Sequence, residues 1–287
     1  MSGSTRAGGR CRNRPVSLGV TLLNASVGSA GFLVTRDVPY GPLSRQRMDI
    51  YRPARAVGPA PVVVFFYGGS WQSGERRDYR FVAASLARAG VVAVVPDYRL
   101  YPEVQFPAFI ADAAVAVAQA RRMARSCGGD PGRMLVMGHS AGAYIAAMLA
   151  IAPSYLAAAG MARSDLAGAI GIAGPYDFLP LTDDDIKRVF GSAADDSRRT
   201  QPIFHVDGHN APLLLLHGDR DTSCYPRNSL ALAARTRAAG GHAETRIYRG
   251  VGHIGIVLGF SGLFRWKSPA LADTLRFVLA PPISGDA

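Results

Sequence analysis

The sequence predicts an α/β fold in which helices cover both faces of a mainly parallel sheet. Short apolar runs alternate with longer helical patterns along most of the chain, which is the arrangement of β-α-β crossover units. Several inner runs, such as Val62–Tyr67 and Leu213–His217, are continuously apolar, as expected of strands that helices cover on both faces. With 48% apolar and 18% charged residues, the 287-residue chain can bury a sizeable core.

The individual elements follow from these runs. Eight strands are predicted, and in chain order they are Thr35–Tyr40, Arg47–Tyr51, Val62–Tyr67, Val91–Pro96, Met134–Gly138, Ala169–Ala173, Leu213–His217 and Thr245–Tyr248. The predicted helices between them are Arg80–Ala89, Ala108–Arg125, Ala141–Ile151, Arg227–Ala239 and Pro269–Leu279. Residues 1–15 are rich in Gly, Ser and Arg and are expected to form a disordered tail. Residues 16–287 are expected to form one domain, because neither a repeat nor an interdomain linker is visible.

Residues 176–210 fit the alternation of strands and helices poorly. They contain the acidic run Asp183–Asp185, a helix-like stretch Ile186–Phe190 and a polar stretch that ends at Asn210. We therefore expect a small lid-like insertion over the carboxyl edge of the sheet. A lid over a site and a solvated connecting loop both agree with this composition.

The net charge of +11 raises nucleic acid or an anionic membrane as a partner. All but two of the 32 basic residues are arginines, however, and they are scattered without a basic helix. A preference for arginine over lysine of this kind reflects the base composition of the genome and not a binding surface, so no nucleic-acid partner is predicted. The three cysteines are an odd number at unrelated spacings, which excludes a fully paired disulfide framework and a zinc site made of cysteines alone.

The stretch between Arg14 and Arg36 contains no charged residue and follows several arginines, as a secretory signal would. Asn24 and Ser26 interrupt the continuous apolar run that a signal or a membrane span needs. The alternative is a short amphipathic helix whose apolar face carries Val16, Val20, Leu23 and Val27. We expect a cytoplasmic protein without stable membrane insertion, and export through an N-terminal signal is the alternative.

The most informative motif is the G-x-S-x-G run Gly138–Gly142, which lies between a predicted strand and a predicted helix. Small residues are needed on both sides of Ser140 because such a sharp turn brings backbone segments close together. The following helix N-terminus then directs N–H groups and its dipole at negative charge that develops beside Ser140. Ser140 is therefore the candidate nucleophile, and a merely tight glycine turn is the alternative.

An unassisted serine hydroxyl is a poor nucleophile, so this chemistry needs a base and an orienting acid at the ends of later strands. Asp221 and His253 each follow such a strand and are the candidate acid and base. Asp219 is also available as the acid, but the loop needs several residues to reach the histidine, which favours Asp221. The order Ser140, Asp221, His253 is the one expected of an α/β-hydrolase.

Two further histidines lie close to these residues in the sequence. His139 precedes the candidate nucleophile and is expected to face away from it. His217 ends a strand, and the glycine after it indicates a structural turn. Neither is predicted to take part in the chemistry.

Three ordered motifs then resemble those of the α/β-hydrolase superfamily. Val64–Trp71 is similar to an H-G-G-x-W oxyanion loop, Asp97–Leu100 to a D-Y-R-L turn and His217–Asp221 to an H-G-x-x-D acid loop. The resemblance extends from about Thr35 to Leu279. It is to the bacterial carboxylesterase branch, which includes hormone-sensitive-lipase-like and feruloyl-esterase-like enzymes.

The resemblance implies an oxyanion hole made by the backbone N–H groups of Ala141 and of Gly69 or Ser70. Tyr67 departs from the pattern, since the family usually has histidine there. That histidine orders the loop, so the substitution leaves the loop's hydrogen bonding open. Asp97 and Arg99 are expected to stabilise their turn through an internal ion pair or backbone hydrogen bonds.

Aromatic residues near the motifs are candidates for an apolar substrate pocket. These are Trp71, Tyr176 and Phe178, with ordinary core packing as the alternative. No metal site and no organic cofactor are implied by the expected chemistry.

The resemblance implies a serine carboxylesterase that hydrolyses short- to medium-chain or aryl esters of small molecules through an acyl-enzyme. An arylformamidase-type amide hydrolase is the first alternative, because the same residues can hydrolyse an amide. A non-catalytic binding protein on the hydrolase fold is the second. Neither the oligomeric state nor the physiological substrate is predicted.

Overall fold

The computed structural model describes residues 23–55, 57–194 and 196–281, and its centre is an eight-stranded sheet. The strands are β1 (Phe32–Pro39), β2 (Arg47–Pro53), β3 (Ala60–Phe66), β4 (Val92–Pro96), β5 (Gly129–His139), β6 (Leu166–Ile172), β7 (Leu213–Gly218) and β8 (Ala243–Tyr248). Their order across the sheet is β1-β2-β4-β3-β5-β6-β7-β8. β2 is antiparallel to both neighbours and all other pairs are parallel, so the mainly parallel sheet is confirmed.

The helices are α1 (Arg80–Arg88), α2 (Ala108–Met123), α3 (Ala141–Ile151), α4 (Pro153–Ala158), α5 (Asp184–Phe190), α6 (Arg227–Ala238), α7 (His253–Leu258) and α8 (Ala270–Leu279). The five predicted helices are present, whereas α4 and α7 have six residues each and were not predicted. Every residue of α3 is buried, because this helix packs directly on the sheet. No helix in the described ranges is long and apolar enough to cross a bilayer.

The expected tail at residues 1–15 lies outside the described residues, as do Val16 and Val20. Leu23 and Val27, from the same predicted face, are 4% and 7% exposed and belong to the core. The amino-terminal end of the described chain therefore packs against the body of the protein.

The carboxyl ends of the parallel strands share one edge of the sheet. The register pairs Phe66 of β3 with Gly138 of β5, and Gly218 of β7 with Tyr248 of β8. Segments that follow these strands therefore emerge side by side, which is where open α/β sheets bind ligands. The Gly-Gly-Ser loop, Ser140, Asp221 and His253 all come from such segments.

The insertion at residues 176–210 follows β6 and contains α5 with three short 3-10 turns. Phe190 of α5 is fully buried and lies against Trp71 and Phe109, at 5.2 and 6.4 Å between ring centroids. Tyr144 Oη donates to the Thr200 carbonyl at 2.6 Å. These contacts join the insertion to the loop after β3 and to helix α3.

A buried arginine stabilises the turn after β4. The Arg76 side chain is 10% exposed and pairs with Asp37, Asp49 and Asp97, at 2.6 Å from Asp37 Oδ1 and 2.9 Å from Asp49 Oδ1. Of the two expected interactions, the ion pair between Asp97 and Arg99 is not formed, whereas Asp97 does take part in a backbone hydrogen bond, since its Oδ1 accepts from the Arg76 N–H at 2.7 Å. Arg99 instead donates to both carboxylate oxygens of Asp112, at 2.7 and 2.8 Å. Arg99 is the guanidinium closest to Asp97 in the sequence, but the fold places Arg76, from a distant segment, beside the Asp97 carboxylate.

We expect Arg76→Gln to lower the free energy of unfolding by about 3–5 kcal/mol, since it leaves the buried carboxylates Asp49 and Asp97 without a cation. Urea unfolding followed by circular dichroism measures the change. Lys187→Gln is the control, because it removes a cation from the exposed pair with Asp184 and should leave the midpoint nearly unchanged. Equal midpoints for the wild-type and Arg76→Gln proteins would contradict the role of this network.

Candidate active site

Ser140 lies on a sharp turn between β5 and α3. Its φ and ψ are 55° and −121°, a conformation that non-glycine residues rarely adopt and that is typical of strained functional turns. A Cβ on Gly138 would lie 2.1 Å from the Gly142 carbonyl oxygen, and one on Gly142 would lie 2.0 Å from the Phe66 carbonyl oxygen. Both flanking positions therefore need glycine, because backbone from the next segment occupies the space of a side chain.

Asp221 and His253 are in direct contact. Asp221 Oδ2 accepts a hydrogen bond from His253 Nδ1 at 2.8 Å, and Oδ1 accepts from the N–H groups of Ser223 and Cys224 at 2.9 Å each. The structure thus fixes His253 as the tautomer with a proton on Nδ1, leaving Nε2 as an acceptor. His253 is the first residue of α7.

Within the described residues, Ser140 Oγ and His253 are not hydrogen-bonded to each other. Such contacts are commonly long in unliganded hydrolases and shorten when substrate binds. The segments that carry the two residues are in contact, since the ring of His139, which precedes Ser140, lies 4.9 Å from the His253 ring between centroids.

The local environment keeps Asp221 ionised. Burial by itself would raise its pKa, but hydrogen bonds from His217 and His253 and from the Cys224 N–H hold the pKa well below its usual range. His217 Nε2 lies 3.3 Å from Asp221 Oδ2 and donates to the Cys224 carbonyl at 2.7 Å. His217 therefore stabilises the acid loop, as its predicted structural role requires.

His139 has a second contact with the site that the sequence did not reveal. Its Nε2 donates to the His253 carbonyl at 3.0 Å, so Nδ1 accepts from the Tyr79 hydroxyl, also at 3.0 Å. Tyr79 Oη in turn accepts from the Gly68 N–H at 3.3 Å. Burial, and then the nearby His253, lower the pKa of His139 to about 3, which keeps this imidazole neutral. The chain of bonds connects the loop after β3 to the backbone of His253.

The candidate oxyanion donors lie on two segments beside Ser140. A Cβ on Gly68 would be 3.1 Å from Ser140 Cβ, so the loop after β3 is in contact with the candidate nucleophile. In the described chain, the N–H groups of Gly69, Ser70 and Ala141 have no acceptor. Ser70 also has a positive φ, at 53°, which is a strained conformation for serine. These N–H groups can donate to an oxygen that carries negative charge.

Trp71 and Phe178 belong to one aromatic cluster. Trp71 is 3% exposed and its ring lies 6.3 Å from Phe178, 5.1 Å from Tyr144 and 5.2 Å from Phe190, as centroid distances. Phe178 is partly exposed, so it can offer a surface to a ligand. Trp71 mainly anchors the loop to the insertion.

Tyr176, the third predicted pocket residue, has no exposed surface. A Cβ on Gly171 would lie 1.8 Å from its hydroxyl oxygen, and one on Gly174 would lie 2.4 Å from that oxygen. The tyrosine ring therefore fills the space beside these two glycines at the end of β6. In this position Tyr176 packs in the core and offers no surface to a substrate.

Cys224 also lies beside the candidate nucleophile, with its thiol against the Ser140 side chain. Burial and the charge of Asp221 raise the pKa of the Cys224 thiol to about 12. The thiol is therefore protonated at neutral pH and behaves as a small half-buried side chain.

Two surface cavities lie away from these residues. One, of about 230 Å³, is lined by Leu135, Ala167 and Leu214, and the other, of about 340 Å³, by Arg121, Pro131 and Gly160. These residues are at or near the amino ends of β5, β6 and β7. Both cavities thus open at the edge opposite to Ser140.

Known proteins are similar to this chain in sequence and in fold. A family model described as BD-FAE matches residues 48–236. A probable isoprenylcysteine alpha-carbonyl methylesterase of Arabidopsis thaliana is 28% identical over 247 residues, 78% of this chain and 52% of the relative. The kynurenine formamidase of Danio rerio is 30% identical over only 113 residues, 39% of this chain and 37% of the relative. The chain spans about half the length of the first of these curated relatives.

A solved structure agrees with the fold. The apo form of Thermogutta terrifontis esterase 2 aligns with a TM-score of 0.71 at 25% identity, covering 88% of this chain and 98% of that chain. The match is therefore one of the whole fold and not of a local motif.

We expect Asp221→Asn to lower turnover of a short-chain ester by about 10⁴-fold, because the asparagine no longer holds the required imidazole tautomer. Asp219→Asn is the matched control. Asp219 Oδ1 accepts from the Gly250 N–H at 2.7 Å, an interaction that asparagine retains. Steady-state kinetics of both variants decide the assignment, and equal losses or the reverse ranking would show it to be wrong.

A second prediction concerns pH and stability. The folded state lowers the pKa of His139 from 6.5 to about 3, so its stabilising contribution is complete above pH 6.5 and is lost as the pH falls toward 3. His139→Asn removes this group. We expect the slope of unfolding free energy against pH, between pH 6 and 4.5, to fall by about 1.4 kcal/mol per pH unit. Urea unfolding at several pH values measures it, and identical slopes would contradict a buried neutral His139.

Proposed function

This chain belongs to the BD-FAE family of α/β-hydrolase esterases, and we propose that it is a serine carboxylesterase that hydrolyses small-molecule esters through an acyl-enzyme. The observation that carries the proposal is the 2.8 Å hydrogen bond between Asp221 and His253 beside a strained Ser140. A binding protein has no need of this combination, because the strained turn is a cost to folding.

In the first half of the proposed reaction, Ser140 Oγ attacks the ester carbonyl carbon. His253 Nε2 takes the hydroxyl proton, while Asp221 holds the Nδ1 proton and stabilises the imidazolium. The imidazolium then gives its proton to the departing alcohol. The result is an acyl group on Ser140 and a free alcohol.

In the second half, His253 removes a proton from water, and the hydroxyl attacks the acyl carbon. The tetrahedral intermediate collapses, Ser140 regains its proton from His253 and the carboxylic acid leaves. In both halves the carbonyl oxygen becomes negative. The N–H groups of Ala141 and of Gly69 or Ser70 receive this charge, and losing one such donor typically costs about 3 kcal/mol.

Substrate size follows from the surroundings of Ser140. Trp71 and Tyr176 are nearly or fully buried, so neither opens a deep acyl tunnel, and Phe178 offers the exposed aromatic surface. We infer a preference for short or medium acyl chains and aryl esters.

We also propose that the protein is cytoplasmic, because Asn24 and Ser26 interrupt the apolar stretch that a secretory signal would need. If the first residue of the protein isolated from cells lies after that stretch, the signal has been cleaved and export is favoured instead.

An arylformamidase-type activity is the second candidate. The same nucleophile and oxyanion donors can act on a formamide, and the formamidase match covers part of the chain. The plant methylesterase match covers twice as much of this chain, which favours an ester. Hydrolysis of an aryl formamide faster than of aryl acetate would reverse this choice.

We expect p-nitrophenyl acetate and butyrate to be hydrolysed faster than the palmitate, with no rate increase at the surface of a triglyceride emulsion.

Ser140→Ala should lower the rate of p-nitrophenyl ester hydrolysis by a factor on the order of 10⁶, leaving a small residual rate from the oxyanion site. Ser126→Ala is the control, because this serine is exposed and its hydroxyl donates to the Met123 carbonyl.

A fluorophosphonate probe provides an independent readout. Mass spectrometry of the labelled peptide should find the adduct on Ser140, and His253→Ala should slow labelling strongly because the hydroxyl then has no base. Full esterase activity in the Ser140→Ala protein, or labelling of another residue, would show that Ser140 is not the nucleophile and would favour a different nucleophile or a binding protein.

A further inference from the structure

The loop that carries the oxyanion donors closes on itself. We refer to residues 68–74 as the oxyanion loop. Gly74 has a φ of 103°, and a Cβ there would lie 2.8 Å from the Gly68 carbonyl oxygen and 2.9 Å from the Tyr67 ring. The first and last residues of the loop are therefore in contact, and whatever holds this junction fixes the donors between them.

One guanidinium holds the junction from outside the loop. Arg45, from the segment between β1 and β2, donates through one terminal nitrogen to the Tyr67 hydroxyl at 2.8 Å and to the Gly74 carbonyl at 3.0 Å. Its Nε donates to the Tyr98 carbonyl at 2.9 Å. A planar guanidinium with several donors can hold three groups in one geometry, which an ammonium cannot.

Tyr67 is the counterpart of Arg45. It is fully buried, its ring stacks on Tyr98 at 4.6 Å between centroids, and its carbonyl accepts from Tyr98 Oη at 2.7 Å. Burial raises the pKa of Tyr67 well above its usual value, so the phenol stays neutral and accepts from Arg45. Tyrosine thus replaces the family's histidine with a longer side chain whose hydroxyl meets a cation from another segment.

We propose that Arg45 is a positioning residue for catalysis, which acts through Tyr67 and Gly74 to hold the N–H donors of the oxyanion loop toward the transition state. The inference rests on the proposed esterase function. Arg45 does not touch substrate in this scheme. Arg45 affects the stabilisation of the charged transition state and not the binding of the neutral ester. The reason is that N–H donors stabilise the oxygen mainly when it becomes negatively charged, and displaced donors lose that stabilisation.

The kinetic expectation is a split between kcat and KM. Misplacing a donor by about 1 Å costs on the order of 100-fold in rate, so Arg45→Ala should lower kcat for p-nitrophenyl butyrate by about 10- to 100-fold. KM should change less than about threefold. Affinity for an alkyl boronic acid, which forms a tetrahedral adduct on Ser140, should fall in parallel with kcat.

Two further variants keep the test decisive if Arg45→Ala folds poorly. Arg45→Lys retains the charge but not the fork, and Tyr67→Phe retains the ring but removes the acceptor. Both should give losses in kcat that are intermediate between wild type and Arg45→Ala. Circular dichroism and a thermal melt establish that each variant is folded at the assay temperature.

The matched control is Arg88→Ala. Arg88 also donates from one guanidinium to main-chain carbonyls, those of Ala30 at 3.0 Å and Gly28 at 3.2 Å, but at the end of α1. This variant should lose melting temperature without losing kcat. If Arg45→Ala, Arg45→Lys and Tyr67→Phe keep wild-type kcat and boronate affinity, and lose only stability as Arg88→Ala does, the positioning role is wrong.

The outcome also separates this inference from the proposed function. A wild-type protein without esterase activity or phosphonate labelling would overturn the function itself. An active wild-type protein whose Arg45 variants keep full turnover would overturn only the role of Arg45.

Discussion

The candidate site depends on the close approach of three backbone segments beneath Ser140. Glycine at positions 138 and 142 lets the end of β5, the start of α3 and the Phe66 carbonyl at the end of β3 pack within the space of a missing side chain. That contact lifts Ser140 above the sheet edge in a strained conformation and sets the loop after β3 against it. The other parts of the site are then arranged around a fixed point, because parallel strands deliver their following segments to the same edge.

Buried carboxylates are used in two different ways in this molecule. Asp49 and Asp97 share one cation, the guanidinium of Arg76, which stabilises the connection between the loop after β3 and the strands beside it. Asp221 has no arginine or lysine partner in the described chain and instead accepts hydrogen bonds from two histidines and two backbone N–H groups. In the proposed reaction, its charge therefore stabilises the His253 imidazole when that ring becomes cationic, an effect that an arginine at the same place would weaken.

The oxyanion loop and His253, the candidate base, are connected by hydrogen bonds. Tyr79 and His139 carry hydrogen bonds from the Gly68 N–H to the His253 carbonyl, and Arg45 ties the two ends of the same loop. The candidate donors and His253 are therefore held in one frame of hydrogen-bonded side chains. Such a frame is expected where a reaction needs preorganised charge stabilisation, since reorganising dipoles during each turnover would raise the barrier.

The sequence by itself determined the eight strands, the five longer helices and the mainly parallel sheet, because apolar periodicity is a local property. It also named Ser140, Asp221 and His253, since each follows a strand in a recognisable motif. The tertiary structure decided which residues meet: His139 with His253, Arg45 with Tyr67, and Tyr176 with Gly171 and Gly174. These partners are far apart in the chain or carry no motif, and only the packing of the folded chain brings them within hydrogen-bond or van der Waals distance.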